Sequence, residues 1–260
     1  MHPETRSITR RLLPPLAGII CVLLIWHLAS DIGHISSYVL PSPQKVAGTF
    51  MKMAASGEIT RDILVSFSRV LRGFGIAFTL AFLLALVRIA LPLLDPYLAP
   101  FIQFLRNVPP IAMIPLLILW CGIGETTKTV IIVLASFFPM YLAIVKGFTS
   151  YDPKLLEVAR VFGYSWQRTF LRVILPSALP DILLGMRTSL GYAWRAIIGA
   201  EMVAASTGLG HLILFAQQMS RTDKVIVGIL VIGLTGLITD RLLGLLIYRL
   251  AGRRAQHGWD

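Results

Sequence analysis

The stretch "EVARVFGYSWQRTFLRVILPSALP", residues Glu157 to Pro180, is the least apolar long stretch in the middle of the chain and is studded with Arg160, Arg168 and Arg172, yet it lies between segments that are almost wholly apolar. On a helix beginning near Asp152 and Pro153, Leu155, Val158, Ala159 and Phe162 fall on one apolar stripe, with Glu157 and Arg160 to the side. Gly163 then supplies a residue that turns the chain without steric cost. A second helical piece follows, with Trp166, Phe170, Val173 and Ile174 as its apolar stripe and Arg168 and Arg172 on another face. Leu175 and Pro176 are expected to end that piece, and Pro180 with Asp181 to start the next element. The spacing predicts a helix-turn-helix elbow, amphipathic on both arms, lying along a membrane surface.

The flanking sequence supplies the membrane. The 260-residue chain is 56% hydrophobic with a mean hydropathy of +0.75, against roughly 45–50% apolar residues in soluble domains. Roughly 20 apolar residues cross the hydrocarbon layer as a helix. Six stretches are read as crossings: Leu12 to Ala29, Val65 to Val87, Phe101 to Gly122, Thr129 to Phe148, Ile182 to Ala205 and Val225 to Ile247. The third contains Arg106, Asn107, Pro109, Pro110 and Pro115 and is read as a kinked span. The fold class is therefore an all-α integral membrane protein of about six helices. Residues 1–11 form an N-terminal segment, 12–248 one membrane domain with the elbow at about 152–180, and 249–260 a tail.

Charge and cysteine content exclude several classes. The net charge of +11 fits the enrichment of Lys and Arg in cytoplasmic loops better than nucleic-acid binding. Arg6, Arg10 and Arg11, the cations around the elbow, and Arg249, Arg253 and Arg254 then share one side, which puts both termini in the cytoplasm. No small-residue cleavage site follows Trp26 and His27, so the first span reads as a retained anchor. Cys21 and Cys121 form no disulfide framework, and His2, His27, His34, His211 and His257 lack metal-ligand spacing. No metal and no cofactor is assigned to this chain.

The outer loops contain "LPSPQKVAGTFMKMAASGEI", where Ser42 caps a short helix with Pro43 in its first turn and Gly57 past its end. Val46, Phe50, Met53 and Ala54 are expected on its apolar face. "GIGETTKT", Gly122 to Thr129, has Thr127 where a phosphate-binding loop has Gly, so it binds no nucleotide. Glu125 and Lys128 read there as a solvated turn, and Trp26, Tyr97, Trp120, Tyr141 and Tyr248 as interfacial aromatics.

The elbow's spacing carries a resemblance: Glu157, Ala159, Gly163 six residues after the Glu, then Ile174-Leu175-Pro176. It resembles the "EAA" loop of the permease subunits of binding-protein-dependent ABC importers. Val158 and Tyr164 depart from the pattern, standing where the family has small residues. "LPSP" at Leu40, "LRNVPPIAMIPLLILWCGIGETTK" from Leu105, "FFPMY" from Phe137 and "GAEMVAASTGLG" from Gly199 resemble the nitrate, sulfonate and taurine branch, with the aliphatic sulfonate permeases most similar. The resemblance implies a type I importer permease fold in the bacterial inner membrane. It implies a second copy of the permease, two ATPase subunits carrying ATP and Mg, and an extracytoplasmic solute-binding protein. It makes the elbow a coupling helix seated on the ATPase, with Glu157, Ala159, Arg160, Gly163, Tyr164 and Ser165 at or beside that contact. Nitrate, bicarbonate or a vitamin precursor is the alternative cargo.

The fifth span is chemically the richest. Thr188, Tyr192, Arg195, Gly199, Met202 and Ser206 form one line at helical spacing, polar or small over most of its length. A charge near mid-span costs about 2.5–3.5 kcal/mol on insertion scales, so Arg195 needs water or a partner. Either the line faces a translocation pathway and Arg195 attracts an anion, or Arg195 is a structural cation bonded to a neighbouring helix. Ala196, Ala200 and Ala204 form a second line suited to close helix packing. Glu201 falls on a different face and reads as a structural acid at the outer gate; Arg187 and Asp240 are positioned to pair. No nucleophile and base constellation is present, so no catalytic residue is assigned. An autonomous ion-coupled carrier would need mid-span acids, and Glu201 and Asp240 lie toward opposite ends.

Overall fold

The structure, a computed structural model, describes residues 3–31 and 36–251, with side chains described from residue 17 to 249 apart from 32–35. The side chains of Arg6, Arg10 and Arg11, and residues His2, His34, Arg253, Arg254 and His257, lie outside the described residues. The described chain is helical: α1 (Pro3–Asp31), α2 (Pro43–Ala55), α3 (Glu58–Ala90), α4 (Asp95–Arg106), α5 (Ile114–Cys121), α6 (Glu125–Thr149), α7 (Pro153–Val161), α8 (Trp166–Thr169), α9 (Leu175–Ala204), α10 (Leu209–Gln218) and α11 (Thr222–Ala251). Four of these runs, α3, α6, α8 through α9, and α11, are long and apolar enough to cross a membrane. The expected first span falls in the 29-residue α1, whose side chains are described over Ala17–Asp31.

The expected third span is not a gently kinked helix. It is two helices bent by 85°, joined through a tight 3₁₀ turn at Pro110–Met113. Pro109 and Pro110 remove two consecutive backbone donors, so α4 ends at Arg106 and a new helix must nucleate beyond them. If the bent pair counts as one span, five lie among the fully described residues, and α1 as a sixth would keep the even number expected from the sequence.

Two compact units emerge, residues 1–61 with 212–231 and residues 62–211 with 232–260. In the first, Ser42 caps α2 and Pro43 opens it, as its sequence dictates. The buried face of α2 is Val46, Thr49 and Met53, while Phe50 and Ala54 are exposed, contrary to the apolar-stripe reading. Thr49 takes the inner place because its hydroxyl donates at 2.7 Å to the buried Asp223 carboxylate, which Arg221 also holds at 2.7 Å.

The second unit is built on the pairing of α6 with α9. Gly147 on α6 lies against Ala178, with its added Cβ only 2.9 Å from the Ala178 carbonyl, and Gly185 on α9 lies against Ala143. Ala193, Ala196, Ala200 and Ala204 are all buried, so the alanine line does form a packing face. Met140, Tyr141, Ile144 and Phe148 fill the centre with Ala81, Ala85, Ile174 and Ile182. Tyr141 is thus no interfacial aromatic: it stacks on Phe137 at 5.8 Å, and Arg88 donates to its hydroxyl at 3.4 Å. Gly185→Val would drive methyl groups into Ala143, an overpacking that costs about 1–3 kcal/mol. The detergent-purified variant is expected to melt earlier than wild type; an unchanged melting temperature would show that the two helices separate freely.

Candidate functional site

The elbow has the turn its sequence requires but not the break. Asp152 caps α7, accepting from the Lys154 N–H, and α7 ends at Val161. Gly163 has φ +65°. The Gly163 N–H donates to the Arg160 carbonyl at 2.9 Å and the Tyr164 N–H to the Ala159 carbonyl at 2.9 Å, the paired bonds of a left-handed helix cap. Ser165 then caps α8. From Trp166 the chain stays helical to Ala204, so Leu175 and Pro176 do not end the second arm and Pro180 lies inside α9. A wide π turn at Phe170–Ile174, one turn before Pro176, gives the proline ring room where a tight turn would clash with the Arg172 carbonyl. The second arm of the elbow is therefore continuous with the fifth span. Phe170 packs on Phe148 of α6 at 5.5 Å, which fixes the second arm to the bundle.

The exposed surface of the elbow is largely apolar. Val161 is 85% exposed and Phe162 72%, with Val158, Trp166 and Leu171 also exposed. Glu157 and Arg160 are exposed beside them. Ala159, expected at the partner contact, is 3% exposed; it packs beneath that surface and does not form part of it.

Further along α9, Tyr192 and Arg195 border a cavity of about 460 Å³ whose other walls include Arg106, Asn107, Ile111 and Phe138. Arg106 and Asn107 come from the end of α4, where the third span breaks. Arg195 lies over the Tyr192 ring at 5.6 Å. Among the described residues neither Arg106 nor Arg195 forms an ion pair or hydrogen bond, and no carboxylate lines the cavity. Thr188 is exposed further down, its hydroxyl donating to the Leu184 carbonyl at 3.0 Å. Gly199 and Met202 are only partly open: a Cβ on Gly199 would sit 3.3 Å from Ile111. The expected line is thus open from Thr188 to Arg195 and partly capped above by the turn at Pro110.

Glu201 is fully buried. Its carboxylate accepts from Ser66 Oγ at 2.8 Å, Arg69 Nη1 at 2.8 Å and the Gly210 N–H at 3.0 Å. Arg69, 5% exposed, also donates to Glu125 at 2.7 Å and to the Thr207 carbonyl at 2.7 Å. Lys128 is 3% exposed and donates to Glu125 at 2.6 Å, so Lys128 is not solvated, while the Glu125 carboxylate stays about half exposed. Gly208, at φ +113°, leaves the space that the Glu201 carboxylate occupies. Toward the elbow, Arg187 Nε and Nη2 each donate at 2.6 Å to the two oxygens of Asp240, a bidentate pair.

Residues 73–252 match the family described as "Binding-protein-dependent transport system inner membrane component". The chain belongs to that family. The permease is 39% identical over 225 residues to the putative aliphatic sulfonates transport permease protein SsuC of Bacillus subtilis, covering 86% of this chain and 82% of that one. It is 33% identical over 252 residues to the taurine transport system permease protein TauC of Escherichia coli, covering 92% and 87%. Its fold is that of a crystal structure of an amino acid ABC transporter with histidines, at TM-score 0.65, 17% identity and coverage of 77% of this chain and 98% of that one. The protein is thus a type I ABC importer permease, a multi-pass inner-membrane transport subunit and not an enzyme.

The structure of the permease joins Arg195 and Tyr192 in one cavity, and Arg195 with Arg187 and Asp240 in a second between α9 and α11. It separates both from Glu201 and from the elbow residues Glu157, Arg160, Gly163, Tyr164 and Ser165. Sequence reasoning missed Arg69, Ser66 and Arg106 as site residues. The signal for Arg69 was present: an arginine inside the apolar run of the second span demands buried partners.

Proposed function

We propose that two copies of this permease form the pathway for a small organic anion of the aliphatic sulfonate or taurine type. A solute-binding protein delivers it from outside, and two ATPase subunits holding ATP and Mg drive the cycle. Both termini then face the cytoplasm, and the elbow seats on the ATPase through Val161, Phe162 and Glu157. The observation that carries the anion reading is the cavity with two guanidiniums, Arg106 and Arg195, and no carboxylate. Uncompensated charge at membrane depth is costly, and an arriving anion offsets that cost. The remaining walls, including Ile111, Leu134, Phe138 and Leu142, are apolar. They favour an anion with a hydrocarbon tail over nitrate or bicarbonate, which have none.

The test is uptake of radiolabelled alkanesulfonate by cells carrying the importer, with assembly followed by co-purification of the ATPase. Arg195→Met is expected to lower uptake at least tenfold, a barrier change of about 1.4 kcal/mol, in complexes that still assemble. Uptake at the wild-type rate by an assembled Arg195→Met importer would refute the pathway.

A further inference from the structure

Arg195 borders a second cavity besides the one it shares with Arg106. This one measures about 290 Å³, and its walls include Arg187, Trp194, Leu237, Thr239 and Asp240. Trp194 holds one side in place: its indole N–H donates to the Ile232 carbonyl at 3.3 Å, and the Cδ1–Nε1 edge of its ring is so close to Gly236 that an added Cβ there would sit 3.0 Å away. Arg187 precedes Arg195 by eight residues on α9, toward the elbow, which at 1.5 Å per residue is about 12 Å along the helix axis. The two cations differ in one respect. Arg195 has no carboxylate partner among the described residues, whereas Arg187 is gripped at 2.6 Å on two nitrogens by Asp240.

We propose that this second cavity is a second station for the transported anion, reached past Arg195, in which the solute's anionic group exchanges with Asp240 for the Arg187 guanidinium. The inference rests on the reading that the anion passes Arg195. Conduction requires sites that bind well enough to be entered and weakly enough to be left. A bare guanidinium in a low-dielectric cavity would hold an anion; one with a resident carboxylate holds it weakly, because the displaced Asp240 charge is left unpaired, repels the bound anion and retakes the guanidinium when the anion leaves. Asp240 is thereby the release element, and Trp194 and Leu237 offer the apolar tail a surface. The bidentate geometry matters, because sulfonate and carboxylate present similarly spaced oxygens to the same two nitrogens.

The experiment uses the assembled importer in proteoliposomes, with radiolabelled hexanesulfonate as the probe. Two quantities are read, maximal uptake and retention of the probe by the detergent-purified importer. Asp240→Asn removes the negatively charged competitor for Arg187, so retention is expected to rise at least tenfold while maximal uptake falls at least tenfold. Arg187→Met/Asp240→Leu removes both charges with apolar groups of similar size, and is expected to assemble with retention and uptake both reduced at least tenfold. Wild-type uptake and retention by the double variant would overturn the station, leaving the pair a packing feature. A double variant that does not assemble counts against it equally, because the pair is then a scaffold. The parent reading fails separately: if Arg195→Met transports normally, the anion does not pass Arg195 at all, whatever the pair does.

Discussion

Arg69→Met is expected to leave almost no assembled importer in the membrane. Arg69 is buried and supplies hydrogen bonds to Glu201, Glu125 and the Thr207 carbonyl. Removing it strands the Glu201 carboxylate, which is fully covered, and breaking one side of a buried ion pair costs on the order of 3–5 kcal/mol. That is a large part of the roughly 5–15 kcal/mol by which a domain is stable. Arg69→Lys should rescue little, since a single ammonium cannot reach three partners in the geometry of a planar fork. Arg69→Met with Glu201→Gln should recover part of the yield, because the stranded charge is gone. The measurement is the amount of monodisperse protein extracted from membranes; wild-type yield from Arg69→Met alone would mean that Ser66, the Gly210 N–H and water suffice for Glu201 without a cation.

Gly163→Pro and Glu157→Lys are expected to disconnect ATP hydrolysis from uptake. Gly163 sits at φ +65° and donates its N–H to Arg160. Proline is locked near −65° and has no N–H, so the cap must unwind and the two arms lose their fixed angle. Since the second arm runs without interruption into α9, that angle is what ties the partner surface to Tyr192 and Arg195. Glu157→Lys leaves the fold intact, because Glu157 is exposed and has no partner among the described residues, and reverses charge at the proposed contact. A loss of about 2 kcal/mol at a contact centre corresponds to roughly thirtyfold weaker ATPase seating. Both variants should lower the ratio of solute moved to ATP hydrolysed. An unchanged ratio in Glu157→Lys would remove that residue from the contact.

The elbow was legible because its determinants are local. Asp152, Gly163 and Ser165 each cap or turn the chain through bonds to residues within a few positions. The alanine line on α9 was legible for the same reason, as a helical period read from one segment. The continuous helix through Pro176 was not, because a π turn that no residue of the segment announces accommodates a residue that ordinarily stops a helix. The 85° bend of the third span lay in plain view as paired prolines, but prolines alone do not fix an angle. The charge cluster around Arg69 was the hardest part. Its members lie on α3, α6 and α9, with sequence separations such as 132 residues between Arg69 and Glu201, so only the folded topology brings them together. Lys128 and Tyr141 were misplaced by the same limit: each looks solvated or interfacial in its own segment and is covered by another.

The central claim is that a nucleotide-hydrolysing subunit drives this permease through the exposed face of its elbow. The most direct measurement places Val161→Cys in a background with Cys21→Ser and Cys121→Ser, since both native thiols are exposed. In the assembled importer the introduced thiol is expected to cross-link to an ATPase subunit carrying its own surface cysteine, with uptake halted by the link and restored on reduction. A thiol at position 161 that stays fully open to a water-soluble maleimide in the assembled importer, with no cross-linked species, would contradict the account.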